Sequence, residues 1–252
     1  PLWTQNLGWV WGSANISGGR VYVPSVEGTA WCLDAKSGHV LWRYRTGRST
    51  CTEPVNHNGT VLFGSWDKTL YAFDEESGHV KWQYFLGGGS DSGVQTAVGR
   101  TVFVPLLGDT IRSIDVQSGK TSWELTVPGA GFNASVAYTN GRIYVSSSAG
   151  KGLGGVATTT RILCLDAETG NVLWEHKDGG GLTCPAVAGD RAYFGSSSSP
   201  YLYAVDAVGN TDGTTKCFFR LTLKNKTEEV CPCFHKGKLF VLNSGGYFYA
   251  IE

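Results

Sequence analysis

Thr69-Leu70-Tyr71-Ala72-Phe73-Asp74-Glu75-Glu76-Ser77-Gly78-His79-Val80-Lys81-Trp82 is the stretch whose reading decides the fold. A run of β-branched and aromatic residues enters an Asp-x-x-Ser-Gly turn and leaves through a second run closed by tryptophan. The pattern small-x-Asp-x-x-Ser/Thr-Gly-x-x-x-Trp recurs at Cys32, Asp34, Ser37, Gly38 and Trp42, at Ser113, Asp115, Ser118, Gly119 and Trp123, and at Cys164, Asp166, Thr169, Gly170 and Trp174. A fifth copy starts at Ala204 and Asp206 and decays. A sixth is split, because the chain stops at Ala250-Ile251-Glu252 while Leu2-Trp3 supplies the Leu-Trp ending seen at Leu41-Trp42 and Leu173-Trp174. A fixed period of about 42 residues means a solenoid, a propeller or an array. A repeat shared by the two termini favours a closed ring.

Upstream of the quoted stretch, Glu53-Pro54-Val55-Asn56 and Thr60-Val61-Leu62-Phe63-Gly64 add two more short strands around the Asn58-Gly59 turn. Each copy therefore reads as a four-stranded antiparallel meander, and no stretch of about ten residues carries a helical period. Asn58-Gly59 and Asn140-Gly141 suit two-residue hairpin turns, which need φ > 0. In the Asp-x-x-Ser/Thr-Gly turn the carboxylate accepts backbone N–H bonds and the glycine takes a left-handed conformation. The regular tryptophan is expected to lie against the small residue of its own sheet and the backbone of the next, sealing the seam. Six such sheets arranged radially predict an all-β, six-bladed β-propeller of four-stranded blades, one single domain over 1–252. Leu2-Trp3 is expected to close the ring as the outermost strand of the last blade.

Composition fits that architecture: 35 glycines, 9 tryptophans and 17% charged residues suit many tight turns. Lys plus Arg equals Asp plus Glu at 21 each, so no net field draws nucleic acid or an anionic membrane. No apolar run is long enough to span a bilayer. The absence of Met points to a mature or excised domain of a longer protein. Among seven cysteines, Cys32 and Cys164 fill the small-residue slot and read as buried packing. Cys184 and Cys231 each precede a proline at equivalent positions, and a disulfide between them is left open. Four sequons begin at Asn15, Asn58, Asn133 and Asn225, pointing to a secreted protein.

The repeat, together with Gly-x-Val/Ile-Tyr strands such as Gly19-Arg20-Val21-Tyr22 and Gly141-Arg142-Ile143-Tyr144, resembles the PQQ-like β-propeller repeat and its tryptophan docking motif. That superfamily includes quinoprotein alcohol dehydrogenases, a lipoprotein of the outer-membrane β-barrel assembly machine and sensor domains of serine/threonine kinases, so the resemblance implies fold more than function. In the dehydrogenases it implies a Cys-Cys disulfide over the cofactor, a calcium held by Glu, Asn and Asp, and long loops. This chain has no Cys-Cys pair and little loop material.

Ligands of propellers sit at the channel mouth, on the loops where this repeat varies. The candidate contact residues there are Trp11, Glu53, Trp66, Asp67, Asp91, Gln95, Phe132 and Asn133, with Trp9, Arg48, Lys68 and Tyr201 nearby and Glu228 and Glu229 at an inner-strand start. Gly150-Lys151-Gly152-Leu153-Gly154 lies between strands, with no helix to hold a phosphate, and reads as a surface loop. The five histidines are expected on outer or bottom positions, and no His-x-x-x-His, Glu-x-x-His or Gly-x-Ser-x-Gly pattern occurs. The expectation is a non-catalytic scaffold, without cofactor or metal, for protein or ligand recognition, in a larger extracytoplasmic protein. The alternatives are a PQQ-dependent oxidoreductase or its remnant, using PQQ with calcium, and the ligand-sensing ectodomain of a receptor kinase.

Overall fold

A computed structural model describes residues 1–87, 95–106, 108–132, 134–149, 159–227 and 231–252. These residues form six successive antiparallel sheets and no helix, the blade pattern of a six-bladed β-propeller. Sheet one is β1 (Asn15–Ser17), β2 (Arg20–Pro24), β3 (Thr29–Asp34) and β4 (Val40–Arg45), and sheet two is β5 (Val55–His57), β6 (Thr60–Ser65), β7 (Thr69–Asp74) and β8 (Val80–Phe85). Sheet three is β9 (Thr96–Val98), β10 (Thr101–Pro105), β11 (Thr110–Asp115) and β12 (Thr121–Thr126). Sheet four is β13 (Ala137–Thr139), β14 (Arg142–Ala149), β15 (Thr159–Asp166) and β16 (Val172–His176). Sheet five is β17 (Ala186–Ala188), β18 (Arg191–Phe194), β19 (Tyr201–Asp206) and β20 (Cys217–Thr222). Sheet six has three strands, β21 (Cys233–His235), β22 (Lys238–Leu242) and β23 (Phe248–Ile251).

The chain divides into two compact units, Pro1–Leu107 with Arg112–Ser122, and Gly108–Ile111 with Trp123–Glu252. In each, the sheets are meanders in which every strand pairs with its sequence neighbour, as short turns dictate. Asn58 and Gly59 have φ of 49° and 73°, and Asn140 and Gly141 the same two values, the left-handed pair that a tight hairpin needs.

The motif residues take the places their chemistry predicts. Asp74 Oδ1 accepts the Ser77 amide at 3.0 Å and the Ser77 hydroxyl at 2.8 Å, and Asp34, Asp115 and Asp166 repeat this with Ser37, Ser118 and Thr169. In four sheets the aromatic of the fourth strand stands opposite the small residue: Cys32 pairs with Trp42, Ala72 with Trp82, Cys164 with Trp174 and Ala204 with Phe219. A β-bulge follows the small residue in each of those four sheets, turning the fourth strand's side chains at the same point.

Each tryptophan then reaches the next sheet. The indole N–H of Trp42 donates to the Glu75 carbonyl at 3.1 Å, Trp82 to Val116 at 2.8 Å, Trp123 to Ala167 at 3.0 Å and Trp174 to Ala207 at 3.1 Å. The rings lie on the turn glycines: a Cβ on Gly78 (φ +70°) would stand 2.6 Å from Trp42, and one on Gly119 2.7 Å from Trp82. Glycine is required there both for the dihedral and for the approach of the ring. The apolar seams follow, Tyr22, Cys32 and Trp42 meeting Phe63 and Phe73 in one unit, and Tyr144, Cys164 and Trp174 meeting Phe194, Tyr203 and Val205 in the other. Burial pushes the Cys32 thiol up to about 11 and Cys164 up to about 12, in keeping with packing roles.

Two expectations change. Leu2-Trp3 does not form a fourth strand of sheet six: residues 1–14 carry no strand. The segment is held otherwise, because the Trp3 indole donates to the Ala35 carbonyl at 3.0 Å, Trp3 covers Gly38, and Leu7 packs on Val21, Val23 and Leu33. Trp3 thus makes the same seam contact as the other motif tryptophans, a contact that needs no strand ladder. The pair left open is joined, Cys184 and Cys231 forming a disulfide with Cα atoms 4.6 Å apart that links the approaches to β17 and β21.

Candidate functional site

In the first unit the candidate residues lie on the segment before β1 (Trp9, Trp11), on the β6–β7 turn (Trp66, Asp67, Lys68), just before β9 (Gln95) and on the linker from β4 to β5 (Arg48, Glu53). That linker is tied down by its own small hydroxyls. Thr46 Oγ1 donates to the Arg48 carbonyl at 2.6 Å, Ser49 Oγ donates to the Val26 carbonyl, and Thr50 Oγ1 accepts the Ser25 amide at 2.9 Å. The same device recurs in the second unit, where Thr227 Oγ1 accepts the Ser196 amide at 2.8 Å. Buried hydroxyls satisfy backbone groups that the strand ladder leaves over at these crossings.

Asp67 is the hub of the cluster. Its carboxylate accepts the Gly47 amide at 2.8 Å, the Tyr71 hydroxyl at 2.7 Å and the Thr69 amide at 3.0 Å, so it joins the β6–β7 turn to the linker. Burial, reinforced by Asp67, pushes the Tyr71 phenol up to about 12. The Trp66 amide donates to the Ser49 carbonyl at 2.9 Å, which sets the indole beside Trp11, with ring centroids 6.4 Å apart and planes at 61°. Trp11 is 67% and Trp9 68% exposed, while the Trp66 indole nitrogen is buried without a partner among the described residues. The Trp9 carbonyl accepts the Val26 amide at 2.8 Å, fixing this segment to the β2–β3 turn.

The other candidates divide. Glu53 is half-buried, and Gln95 is buried with its amide over Gly64, where a Cβ would meet its Nε2 at 2.9 Å. In the second unit Phe132 is fully buried and is a packing residue, and Tyr201 lies under the Arg220 guanidinium at 4.3 Å. Asp91, Asn133, Glu228, Glu229 and most of the Gly150–Thr160 insertion lie outside the described residues. The structure therefore brings together Trp11, Trp66 and Asp67, with the Arg48 carbonyl bonded to the neighbouring Ser65 hydroxyl, as an aromatic contact on a hydrogen-bonded base. Asp67 faces inward to backbone and Tyr71, a role marked in the sequence only by its four-residue spacing from that tyrosine. Among the described residues no group of three His, Cys, Asp or Glu side chains is placed to hold a metal, and no helix is long and apolar enough to cross a membrane.

Six sheets, the recurring aspartate turn and the tryptophan on the following turn's glycine define a protein of the PQQ-like repeat class. The chain belongs to the family described as outer membrane protein assembly factor BamB, whose model matches residues 1–214 and 107–246. The curated relatives include polyvinylalcohol dehydrogenase of Sphingopyxis sp. (strain 113P3), 25% identical over 174 residues, and that of a Pseudomonas species, 24% identical over 186 residues. Each match covers 65% of this chain and 22% of the relative, so the chain spans only about a fifth of their length. Among solved structures, BamB from Moraxella catarrhalis superposes with a TM-score of 0.58 at 17% identity, over 96% of this chain and 82% of that one. The quinohemoprotein alcohol dehydrogenase ADHIIG from Pseudomonas putida HK5 gives 0.69 at 14% identity, over 97% of this chain and 52% of that one. At these identities the likeness is one of fold.

Proposed function

We propose that residues 1–252 are a single propeller domain of a larger extracytoplasmic protein and serve as a rigid scaffold that recognises another protein, with no chemistry of their own. One observation carries this reading: the Trp11 indole stands in solvent against Trp66, whose turn is hydrogen-bonded to the β4–β5 linker, and the exposed Trp9 lies two residues before it in the chain. Large rigid aromatics lose little side-chain entropy on binding and dominate contact energy at interfaces. The family description, an outer membrane assembly factor, supports both a protein partner and an extracytoplasmic site. The Cys184–Cys231 disulfide supports the compartment as well, since such bonds persist in oxidising surroundings. The seam tryptophans act in this reading as the docking residues of the repeat.

A second reading, a PQQ-dependent oxidoreductase or its remnant, draws on the likeness to polyvinylalcohol dehydrogenases and a quinohemoprotein alcohol dehydrogenase. Two measurements separate them. Titration calorimetry with PQQ and calcium is expected to give no heat of binding, and micromolar affinity would overturn the scaffold reading. A photo-crosslinking amino acid in place of Trp11 is expected to capture one discrete protein in the native host, with the adduct lost in Trp66→Ala. Failure to capture any protein there, with the fold intact, would remove this patch as the contact surface.

A further inference from the structure

His176 departs from the outward position expected for the histidines. It follows Trp174 by two residues, where sheets one and two carry Tyr44 after Trp42 and Tyr84 after Trp82. Its cross-strand partner is Ile162. Its ring is wedged against sheet five, with centroids 5.8 Å from Phe194 and 5.6 Å from Tyr203, both at 65°, and those two rings stack on each other at 5.4 Å. Gly179 (φ +78°) closes over the same pair, its would-be Cβ 2.7 Å from Tyr203 and 2.8 Å from Phe194. The imidazole Nε2 is buried and has no hydrogen-bond partner among the described residues.

We propose that His176 is an acid-sensitive latch of the seam between sheets four and five, holding the two sheets together while its ring is neutral and loosening them when it is protonated. A neutral imidazole packs on aromatic rings much as the tyrosines do in the other seams, whereas protonation makes the buried Nε2 of this half-buried ring a charged donor with no acceptor among the described residues. The charged groups around the ring do not reverse this. Glu175, on the same strand, is engaged with Arg161 of β15 at 3.0 Å, Arg220 of β20 lies over Tyr201 and adds positive charge near Tyr203, and Lys177 follows on the chain. Asp178 alone favours the protonated form, and burial outweighs it, so the imidazole is held below the usual histidine range. With the folded value depressed, the latch contributes its full stability above the ordinary histidine range and loses it as pH falls through the folded value.

The test is a pH titration of the intact chain from 8 to 4.5, following the His176 Cε1–H resonance and amide exchange together. His176 is expected to titrate below a free histidine. Acidification is expected to speed exchange in β16, β18 and β19, beyond the intrinsic pH effect, by about tenfold for each pH unit of depression. The tyrosine seam of β4, β6 and β7 in the same molecule is the control and is expected to stay protected. In His176→Phe or His176→Tyr the pH-dependent difference between the seams is expected to vanish. A His176 midpoint at or above that of a free histidine, as attraction of an imidazolium to the ring faces would give, overturns the proposal, and so does an unchanged pH response in a folded variant. The resonance titration decides the question in the natural sequence if neither variant folds.

Discussion

The seam between sheets one and two and the seam between sheets four and five are built from the same part and finished differently. In both, a tryptophan lies on a glycine of the next sheet's turn and donates to the carbonyl of the residue after the turn aspartate. Around Trp42 the remaining rings are Tyr22, Phe63 and Phe73, with Tyr44 against Tyr71 and Phe73 at 5.7 and 5.0 Å. Around Trp174 the turn has decayed, Gly209 standing three residues after Asp206 where the other copies place glycine after four, and His176 takes the tyrosine's place. The indole still finds its carbonyl and its glycine. The repeat therefore tolerates loss of the Ser/Thr-Gly pair where a residue without a side chain remains under the ring and the aspartate keeps its bonds from the Val208 and Gly209 amides.

Truncating the tryptophans should break the comparison most strongly. Trp174→Ala, at a fully buried ring, should cost about 3–5 kcal/mol in chemical denaturation, and Trp42→Ala a little less because that ring keeps a small exposed edge. Equal and negligible losses would show that the rings do not hold the seams. Removing residues 1–8 takes Trp3 off Gly38 and Leu7 off Val21 and Leu33, so the melting temperature should fall and exchange should rise first in β2 and β3. An unchanged melting curve would show that the segment is ornamental. The smallest effect is expected at the turns. Ser77 holds the Asp74 carboxyl down to about 2, chiefly through its amide. With the folded value lowered, the turn's contribution is present above the ordinary carboxylate range and is lost as pH falls through about 2. Asp74→Asn should therefore lower the melting temperature slightly at pH 7, by far less than either tryptophan change, and the difference from the natural chain should shrink in strong acid.

The repeated strands, the hairpin turns and the aspartate turns were readable because each rests on contacts within a few residues: Asp74 with Ser77, Asn58 with Gly59, Ala72 facing Trp82. The tryptophan's role was readable too, through its regular spacing. Harder to read was the split copy. Leu2-Trp3 looks like a strand ending, yet its contact with Ala35 and Gly38 is made by a side chain and requires no ladder. The candidate site was legible only in part, since position on a variable loop does not say which way a side chain turns: Trp11 points to solvent, Asp67 to backbone, Gln95 over Gly64 and Phe132 into the core.

By itself the sequence determined an all-β chain of repeated four-stranded sheets and the family to which that repeat belongs, because strand periodicity, turn chemistry and tryptophan spacing are local and recur along the chain. Only the tertiary structure decided that Cys184 meets Cys231, that the exposed Trp11 stands beside Trp66, and that the half-buried His176 packs on Phe194 and Tyr203 with its Nε2 out of solvent. Each of those depends on which side chains two different sheets or segments bring to one place. Backbone propensity carries no record of such meetings; packing and burial between the elements set them.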